Sequence, residues 1–282
     1  MLLSDAMSWI QIELKERFGG KSLRETYALL LCLERFNTMS QIIMELNSTE
    51  LSRPEIELLE NWLPRRKKGE PVAYLRGFEY HYGRPFIVDK TVLIPRPETE
   101  LITQRCIQLY RQNNLNPSLK CLDIGTGSGI LALSLRLELP ESCWIATDIS
   151  LECLKIAKKN SQQLNSDVKL IQAYGSHGVR GSFDLIVSNP PYLTSGDPMI
   201  QREVDQYEPH LALYAKQDGL KLINEILDSI SLLLDEGGYA LIEIGHDQHE
   251  KLELKLMNFK NIKFTWINDF ANVPRILEIK KV

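Results

Sequence analysis

The chain has 282 residues, of which 44% are hydrophobic and 25% are charged, ordinary values for a globular protein. At roughly 100–200 residues per domain, this length predicts one large domain or two. The net charge of −4 argues against a free-standing nucleic-acid-binding protein, because such proteins usually carry a basic surface.

The five cysteines include no C-x-x-C pair. This odd number fits reduced thiols in a cytosol better than a disulfide framework or a zinc site. The first 18 residues lack a basic segment followed by an apolar core, and the apolar stretch 27–33 is far too short to span a bilayer. We therefore expect a cytoplasmic protein without a membrane segment.

The first 70 residues are predicted to form a small helical bundle. Apolar residues recur at helical spacing, and Gly19-Gly20 separates the first two helices. Ser52-Arg53-Pro54-Glu55 is a capping box that opens a further helix. We expect that helix to end near Trp62, because Pro64 follows.

A β-hairpin is predicted next, since glycines and prolines punctuate a stretch rich in aromatic and β-branched residues. Its strands are expected at Leu75–Tyr80 and Phe86–Val88. Leu93-Ile94-Pro95-Arg96-Pro97-Glu98-Thr99-Glu100 follows, and its prolines hold the chain extended before a helix begins with acidic residues.

From about residue 119 onward, strand and helix patterns alternate. The expected strands are Lys120–Ile124, Cys143–Thr147, Val168–Gln172, Phe183–Ser188, Tyr239–Ile244, Ile262–Trp266 and Arg275–Ile279. The expected helices are Ile130–Leu139, Leu151–Leu164, Gly219–Leu234 and Gln248–Phe259. This alternation predicts an α/β fold with a mostly parallel sheet and helices on both faces.

A glycine-rich loop, Asp123-Ile124-Gly125-Thr126-Gly127-Ser128-Gly129, ends the first of these strands and opens a helix. Glycines let the backbone turn sharply and let a ligand approach closely. A dinucleotide-binding loop has the spacing G-x-G-x-x-G. The spacing here is G-x-G-x-G with an acid two residues ahead, which resembles the first motif of S-adenosylmethionine-dependent methyltransferases. The loop alone leaves both cofactors open.

Two further residues are candidates for cofactor contacts. Asp148 ends the second strand, where a carboxylate accepts hydrogen bonds from ribose hydroxyls in either kind of cofactor. The alternative for Asp148 is a helix N-cap, although Ser150 is also placed to serve as that cap. Tyr174 follows the third strand, where its ring would either stack on an adenine or pack in the core.

Asn189-Pro190-Pro191-Tyr192 directly follows the strand Phe183–Ser188. The Asn189 side-chain oxygen and the Pro190 carbonyl are hydrogen-bond acceptors that would hold a planar NH2 group. The prolines keep residues 189 and 190 out of helical geometry, and Tyr192 would lie against the flat face of the group. An ordinary turn is the alternative, since Asn-Pro often starts one.

This arrangement predicts methyl transfer to nitrogen, with Asn189, Pro190 and Tyr192 as the catalytic residues. The acceptor is either an exocyclic amine of a DNA or RNA base or a glutamine side-chain amide in a protein. Both present a planar NH2 group beside a carbonyl or a ring nitrogen, so these four residues alone do not separate them.

Several segments, in order along nearly the whole chain, resemble the bacterial peptide chain release factor glutamine methyltransferase family. The most specific are Gly69-Glu70-Pro71-Val72-Ala73-Tyr74-Leu75 and Leu93–Glu100. The others are Asp123–Gly129, Asn189–Tyr192, Glu208-Pro209 with Ala212-Leu213, Asp218-Gly219-Leu220 and Glu243-Ile244-Gly245.

The resemblance implies a Rossmann-like S-adenosylmethionine-dependent methyltransferase sheet, a small all-helical N-terminal domain and a linking β-hairpin. The implied domains are a substrate-recognition domain at 1–70, a hairpin linker at 71–93 and a methyltransferase domain at 94–282. The implied activity is N5-methylation of the glutamine in the Gly-Gly-Gln motif of translation release factors.

On this resemblance, the cofactor residues are Asp123, Ile124, Gly125, Thr126, Gly127, Asp148, Tyr174 and Asn189, and the substrate residues are Asn189, Pro190, Pro191 and Tyr192. We expect a monomer that acts on release factors, with no direct nucleic-acid substrate. His246 and His249 are three residues apart, but no recognised metal motif joins them, so no metal site is expected.

Two charged groups of residues leave alternatives open. Arg65-Arg66-Lys67-Lys68 is either a solvated segment past a helix end or a contact for an acidic face of a release factor or for ribosomal RNA. Arg96, Glu98 and Glu100 either rim the acceptor site or cap and pair within one helix.

Overall fold

The computed structural model describes residues 1–112, 118–194, 196, 200–215 and 219–282. Contacts divide these residues into two compact units. Apart from the gaps just given, the first unit contains Met1–Gly77 and Gln201–Tyr207, and the second contains Phe78–Ile200 and Glu208–Val282. Asp218, which belongs to one of the matched segments, lies outside the described residues.

The first unit is helical, as the sequence predicts. Its main helices are α1 (Leu3–Phe18), α2 (Ser22–Leu31), α3 (Met39–Glu45), α4 (Arg53–Lys67) and α5 (Val72–Arg76). Their apolar faces surround one buried cluster that includes Leu14, Leu30 and Leu59. A short helix at Arg202–Tyr207 also belongs to this unit, where Glu203 pairs with Arg17 at 3.1 Å.

Helix α4 continues through Pro64 to Lys67, so the expected end near Trp62 is wrong. Proline removes one backbone hydrogen bond inside a helix. However, Trp62, Leu63 and Arg66 are all buried on this stretch. Tertiary packing of a helix face supplies most of a helix's stability in a protein, so here it outweighs the defect.

The basic run 65–68 is largely neutralised inside the first unit. Arg66 is buried, its Nη2 donates to Glu25 Oε2 at 2.6 Å, and its guanidinium carbon lies 4.5 Å from the centre of the Phe18 ring. Arg65 pairs with Glu70 and Lys67 pairs with Glu13. Arg65, Arg66 and Lys67 thus lie in the last turn of α4 instead of past its end, and the buried guanidinium of Arg66 is not a binding surface. Arg65 and Lys67 are partly exposed and Lys68 is exposed.

The hairpin belongs to the second unit, with strands β1 (Phe78–His81) and β2 (Arg84–Ile87). Residues 75 and 76 are helical rather than extended as expected. Gly77 sets this boundary, because its φ of +84° ends α5 and its N–H donates to the Ala73 carbonyl. Asn160 anchors the hairpin, since its Oδ1 accepts from the Ile87 N–H at 2.7 Å.

The expected strands and helices after residue 119 are confirmed, with ends that differ by a few residues. The helices of this unit are α6 (Glu100–Gln112), α7 (Ile130–Glu138), α8 (Leu151–Gln163), α10 (His210–Leu213), α11 (Lys221–Leu233) and α12 (His249–Leu256). The label α9 denotes the helix Arg202–Tyr207 of the first unit. The strands are β3 (Lys120–Ile124), β4 (Cys143–Asp148), β5 (Lys169–Gln172), β6 (Phe183–Ser188), β7 (Leu234–Glu243), β8 (Ile262–Asn268) and β9 (Pro274–Lys281).

These seven strands form one sheet in the order β5-β4-β3-β6-β7-β9-β8. The first five in that order run parallel, and β9 is antiparallel to both of its neighbours. Side chains alternate between two buried clusters, with Cys121 in one and Leu122 in the other. Helices α6 and α7 contribute to the first cluster and α11 and α12 to the second, so both faces of the sheet are covered.

The two units differ in extent from the three-part division of the sequence, which placed boundaries after residues 70 and 93. That division stays a prediction. In the described part of the chain, no helix combines the length and apolar character needed to cross a membrane.

Arg66→Ala is expected to destabilise the first unit by about 3 kcal/mol, because it leaves the Glu25 carboxylate without its buried partner. Amide hydrogen exchange in α2 and α4 measures this change locally. Lys68→Ala, at an exposed position next along the run, is the control and should change stability by less than about 0.5 kcal/mol. Equal effects of the two variants would contradict a structural role for Arg66.

Candidate active site

A cavity of about 500 Å³ lies at the carboxyl ends of β3, β4 and β6, and all the residues that line it belong to the second unit. Ligands of open parallel sheets bind at this edge. The predicted site residues in its wall are Asp123, Gly125, Thr126, Gly127, Asp148, Tyr174, Asn189 and Pro191. Ile124, Pro190 and Tyr192 are adjacent in sequence but are not part of the wall.

The glycine loop turns back over the end of β4. Gly125 and Gly127 have φ values of +75° and +56°, which a side chain would strain. A Cβ at either position would meet no heavy atom within 4 Å, so the space beside the loop is open to a ligand. The N–H groups of Gly125 and Thr126 both donate to the Thr147 carbonyl at 2.9 Å, which fixes the turn.

Asp123 is a buried acid with one bonded and one unbonded oxygen. Its Oδ2 accepts from the Thr126 hydroxyl at 2.6 Å and from the Ala132 N–H at 3.3 Å. Its Oδ1 is buried and has no hydrogen-bond partner among the described residues. Burial raises the pKa of Asp123 to about 7. A buried carboxylate oxygen without a donor is costly, so this atom is suited to a cationic or donor group of a ligand.

Asp148 holds the far side of the glycine loop. Its Oδ2 accepts from the Gly127 N–H at 2.9 Å, and its Oδ1 accepts from the Ser150 N–H at 2.8 Å. Burial raises the pKa of Asp148. Ser150 caps α8, as expected, with its hydroxyl accepting from the Cys153 N–H at 3.3 Å. Each oxygen of Asp148 retains a lone pair for a ligand hydroxyl.

Tyr174 also lies in the cavity wall. The Lys221 Nζ lies 5.5 Å from the centre of its ring, and the His177 ring meets it edge-on at 5.5 Å. Burial raises the pKa of its hydroxyl. Tyr174 is half-buried in the wall, and its stacking on an adenine stays a prediction.

The Asn189–Tyr192 segment is held from both sides. The Leu193 N–H donates to the Leu213 carbonyl at 3.0 Å, and the Tyr192 carbonyl accepts from Gln248 Nε2 at 3.0 Å. Gly219 has a φ of +78°, and a Cβ there would lie 2.0 Å from the Tyr192 carbonyl oxygen. Only glycine fits this close approach, which explains why glycine stands at position 219.

One end of the Asn189 side-chain amide is hydrogen-bonded inside the protein, and the other end is free of such a bond among the described residues. Its Nδ2 donates to Thr99 Oγ1 at 3.0 Å, and Asn189 itself lines the cavity. Its Oδ1 is therefore the end available to a ligand. Pro190, the next residue, is buried.

Tyr192 takes a different position from the one expected. Its ring packs against the buried cluster of β6 and β7, and its hydroxyl donates to Glu243 Oε1 at 3.1 Å. Burial and the Glu243 charge raise the pKa of this hydroxyl. The ring is not in the cavity wall, which does not support the expected contact with the face of an acceptor group; that contact stays an untested prediction. Ile124 is likewise fully buried in the sheet.

Thr99 and Glu243 carry no predicted role in the sequence, yet they join the site. The Thr99 hydroxyl donates to Glu243 Oε2 at 2.7 Å, and both side chains are buried. Burial raises the pKa of Glu243 to about 7. The sequence signal that could have found Glu243 is an acid directly after the apolar run Tyr239–Ile242, at the end of β7.

The segment before α6 reaches the cavity through Arg96, which lines it and pairs with the buried Glu208. Glu208 also accepts from the Ile94 N–H at 3.0 Å. Arg96 thus rims the cavity instead of pairing within its helix. Glu100 faces away, where its Oε1 accepts from the Tyr82 N–H at 2.7 Å.

Comparisons with known proteins agree with this geometry. The family model described as Methyltransferase small domain matches residues 108–211. The Release factor glutamine methyltransferase of Staphylococcus aureus is 32% identical over 268 residues, which cover 92% of this chain and 94% of that protein. The chain belongs to the release factor glutamine methyltransferase family.

Longer relatives also match. The Bifunctional methyltransferase of Rickettsia typhi is 37% identical over 93% of this chain but only 54% of that protein, so the chain spans about half the length of such relatives. The crystal structure of the hMettl16 catalytic domain in complex with the MAT2A 3'UTR hairpin 6 has a TM-score of 0.54 and 16% identity. The match covers 90% of this chain and 91% of the hMettl16 chain, and at this identity it shows a likeness of fold alone.

The cavity of this family member fits S-adenosyl-L-methionine. The molecule carries an ammonium group, ribose hydroxyls and an adenine ring, and the wall offers the unbonded Asp123 oxygen, the Asp148 carboxylate and the Tyr174 ring. Among the described residues, no group of three or more histidine, cysteine, aspartate or glutamate side chains could hold a metal ion.

Asp123→Asn is expected to weaken binding of S-adenosylmethionine by about 10- to 100-fold, because a charge-assisted hydrogen bond is lost. It should also raise the stability of the ligand-free protein by about 1–3 kcal/mol above pH 7. The folded pKa of about 7 lies above the ordinary value of 3.8, so Asp123 lowers stability progressively as pH rises from about 4 to 7, and the full loss is present above pH 7. Calorimetry and thermal unfolding at several pH values measure the two effects. Unchanged affinity would exclude Asp123 from the cofactor site.

Proposed function

We propose that this protein transfers a methyl group from S-adenosyl-L-methionine to the N5 nitrogen of the glutamine in the Gly-Gly-Gln motif of translation release factors. The observation that carries the proposal is the Asn189 amide, whose oxygen is available in the same cavity as the glycine loop. The proposal also draws on the names of the curated relatives. We place the reaction in the cytoplasm, as part of translation termination, and expect a monomer.

The acceptor half of the cavity would hold and orient the amide. Asn189 Oδ1 and the Pro190 carbonyl would accept the two N–H hydrogens of the substrate NH2 group. Holding the nitrogen in line with the donor supplies much of the rate increase, because orientation removes an entropic barrier. When bound, S-adenosylmethionine supplies a methyl group on a sulfonium, which leaves as a neutral thioether once the methyl group has moved to nitrogen.

No strong general base is required near Asn189. An amide nitrogen becomes acidic when it gains a methyl group, so its proton leaves to water after transfer. The main task of the site is therefore orientation and exclusion of water. The buried Pro190 and the closely packed Tyr192 carbonyl support this, since they leave the acceptor segment little freedom.

The donor half would hold the cofactor through Asp123, the loop Ile124–Gly127, Asp148 and Tyr174. The helical first unit would recognise the release factor, in line with the expected substrate-recognition role of residues 1–70. The hairpin at 71–93 and the remainder, 94–282, keep their proposed roles as linker and methyltransferase domain.

Labelled S-adenosylmethionine tests the proposal directly. We expect label on a release factor and none on a variant whose Gly-Gly-Gln glutamine is replaced by alanine. Transfer to that variant, or to DNA or RNA alone, would contradict the proposal, and the second result would favour the base amino-methyltransferase alternative.

Asn189→Ala is expected to lower the rate of transfer by at least about 100-fold, since a part-buried acceptor that would hold and stabilise the reacting group is removed. Binding of the cofactor should largely survive, because the glycine loop and Asp148 are unchanged. Isothermal calorimetry and single-turnover transfer separate the two effects. An active Asn189→Ala enzyme would show that the acceptor pocket lies elsewhere.

A further inference from the structure

The acceptor pocket continues behind Asn189 into a buried chain of polar groups. Asn189 Nδ2 donates to Thr99 Oγ1 at 3.0 Å, and the Thr99 hydroxyl donates to Glu243 Oε2 at 2.7 Å. The other oxygen, Glu243 Oε1, accepts from the Tyr192 hydroxyl at 3.1 Å. Thr99 and Glu243 are fully or almost fully buried, so water does not compete for these bonds.

We infer that Thr99 and Glu243 are positioning residues that determine which end of the Asn189 amide faces the acceptor group. The inference rests on the proposed function, in which the acceptor is an NH2 group. Neither residue touches the cavity wall, so both act through Asn189.

The donor and acceptor of each hydrogen bond in this network follow from which groups carry a hydrogen. An ionised carboxylate only accepts hydrogen bonds, so the single hydrogen of the Thr99 hydroxyl is committed to Glu243. The Thr99 oxygen can then only accept from Asn189. This requires the NH2 end of Asn189 to face Thr99, and its Oδ1 is left for the cavity.

The opposite orientation of the Asn189 amide would prevent binding of the substrate NH2 group. Its NH2 group would face the NH2 group of the substrate, and two donors repel. A side-chain amide turns between these two orientations when its surroundings do not distinguish its oxygen end from its NH2 end, because the two ends have nearly the same shape. A fixed acceptor behind Asn189 removes the unproductive orientation before substrate arrives.

Glu243 is itself fixed by a donor on each oxygen. Thr99 and Tyr192 both donate to it, while Glu98 and Arg275 are the charged side chains that act on it from neighbouring elements. Burial raises its pKa to about 7, so the ionised form that accepts both bonds prevails above that pH. The same carboxylate therefore orients Asn189 and anchors Tyr192.

The test compares two threonines of similar surroundings. Thr99→Val removes the hydroxyl with little change of shape, and we expect kcat for release factor methylation to fall about 100-fold, the loss typical of a small misplacement of reacting groups. The KM for S-adenosylmethionine should stay within about 3-fold, because the donor half is unchanged. Assays near pH 8 keep Glu243 ionised.

The matched control is Thr103→Val in α6, one turn beyond Thr99. Thr103 is also fully buried, but its hydroxyl contacts His81 Nε2 at 3.2 Å and not the acceptor segment. This variant should lose comparable stability and keep its kcat. Thr99→Ser restores the hydroxyl and should recover most of the activity that Thr99→Val loses.

Glu243→Gln is a second variant of nearly equal volume. The new amide can turn either its oxygen or its NH2 end toward Thr99, so it no longer fixes the direction of the Thr99 hydrogen bonds. We expect kcat to fall about 10-fold or more, with the KM for the cofactor little changed. If Thr99→Val and Glu243→Gln both fold and keep the wild-type kcat, the inference is overturned.

A spectroscopic measurement separates this inference from the proposed function. In protein labelled with 15N-asparagine, the Nδ2 hydrogens of Asn189, assigned with Asn189→Ala, should exchange slowly in the wild type and in Thr103→Val. They should exchange faster in Thr99→Val. If the wild type methylates no release factor, the proposed function fails and this measurement still tests the network. Equal exchange in Thr99→Val and the wild type would overturn the network whether or not the enzyme is active.

Discussion

Buried carboxylates at the carboxyl edge of the parallel sheet are the constraint on which the site depends. Asp123, Asp148 and Glu243 lie at or next to the ends of β3, β4 and β7, where the parallel arrangement brings strand ends together. A buried charge is unfavourable unless donors surround it. The loops at this edge are therefore shaped by the need to supply donors, and those loops form the cavity.

Each carboxylate meets that need in a different way. Asp148 takes two backbone N–H groups, one from the glycine loop and one from the start of α8. Glu243 takes two side-chain hydroxyls from segments far apart in the chain. Asp123 is satisfied on one oxygen only. Asp148 and Glu243 each hold loops in place with both oxygens bonded, and of these two only Asp148 also lines the cavity, where its remaining lone pairs are open to a ligand. Asp123 also lines the cavity and keeps one oxygen without a protein donor among the described residues, so this oxygen is suited to a ligand.

Much of the fold could be predicted from the sequence, because local pattern determines it. The strands Lys120–Ile124 and Phe183–Ser188 were predicted with the bounds observed, since short apolar runs between turn residues indicate buried strands. The end of α4 was not predicted, because burial of Trp62 and Arg66 overrides the local effect of Pro64. The link between Thr99 and Glu243, 144 residues apart, has no local signal at all.

The segment before α6 shows why two distant motifs belong to one site. Arg96 of this segment is bonded to Glu208, and Thr99 is bonded to Glu243, so it is held on two sides of the acceptor pocket. Its Thr99 is also the group that Asn189 binds. An asparagine after a strand can hold a planar NH2 group only if something fixes its own orientation. On the proposed function, the Asn-Pro-Pro-Tyr sequence would supply the acceptors and Thr99 would set the orientation of the Asn189 amide, so neither segment alone would make the pocket.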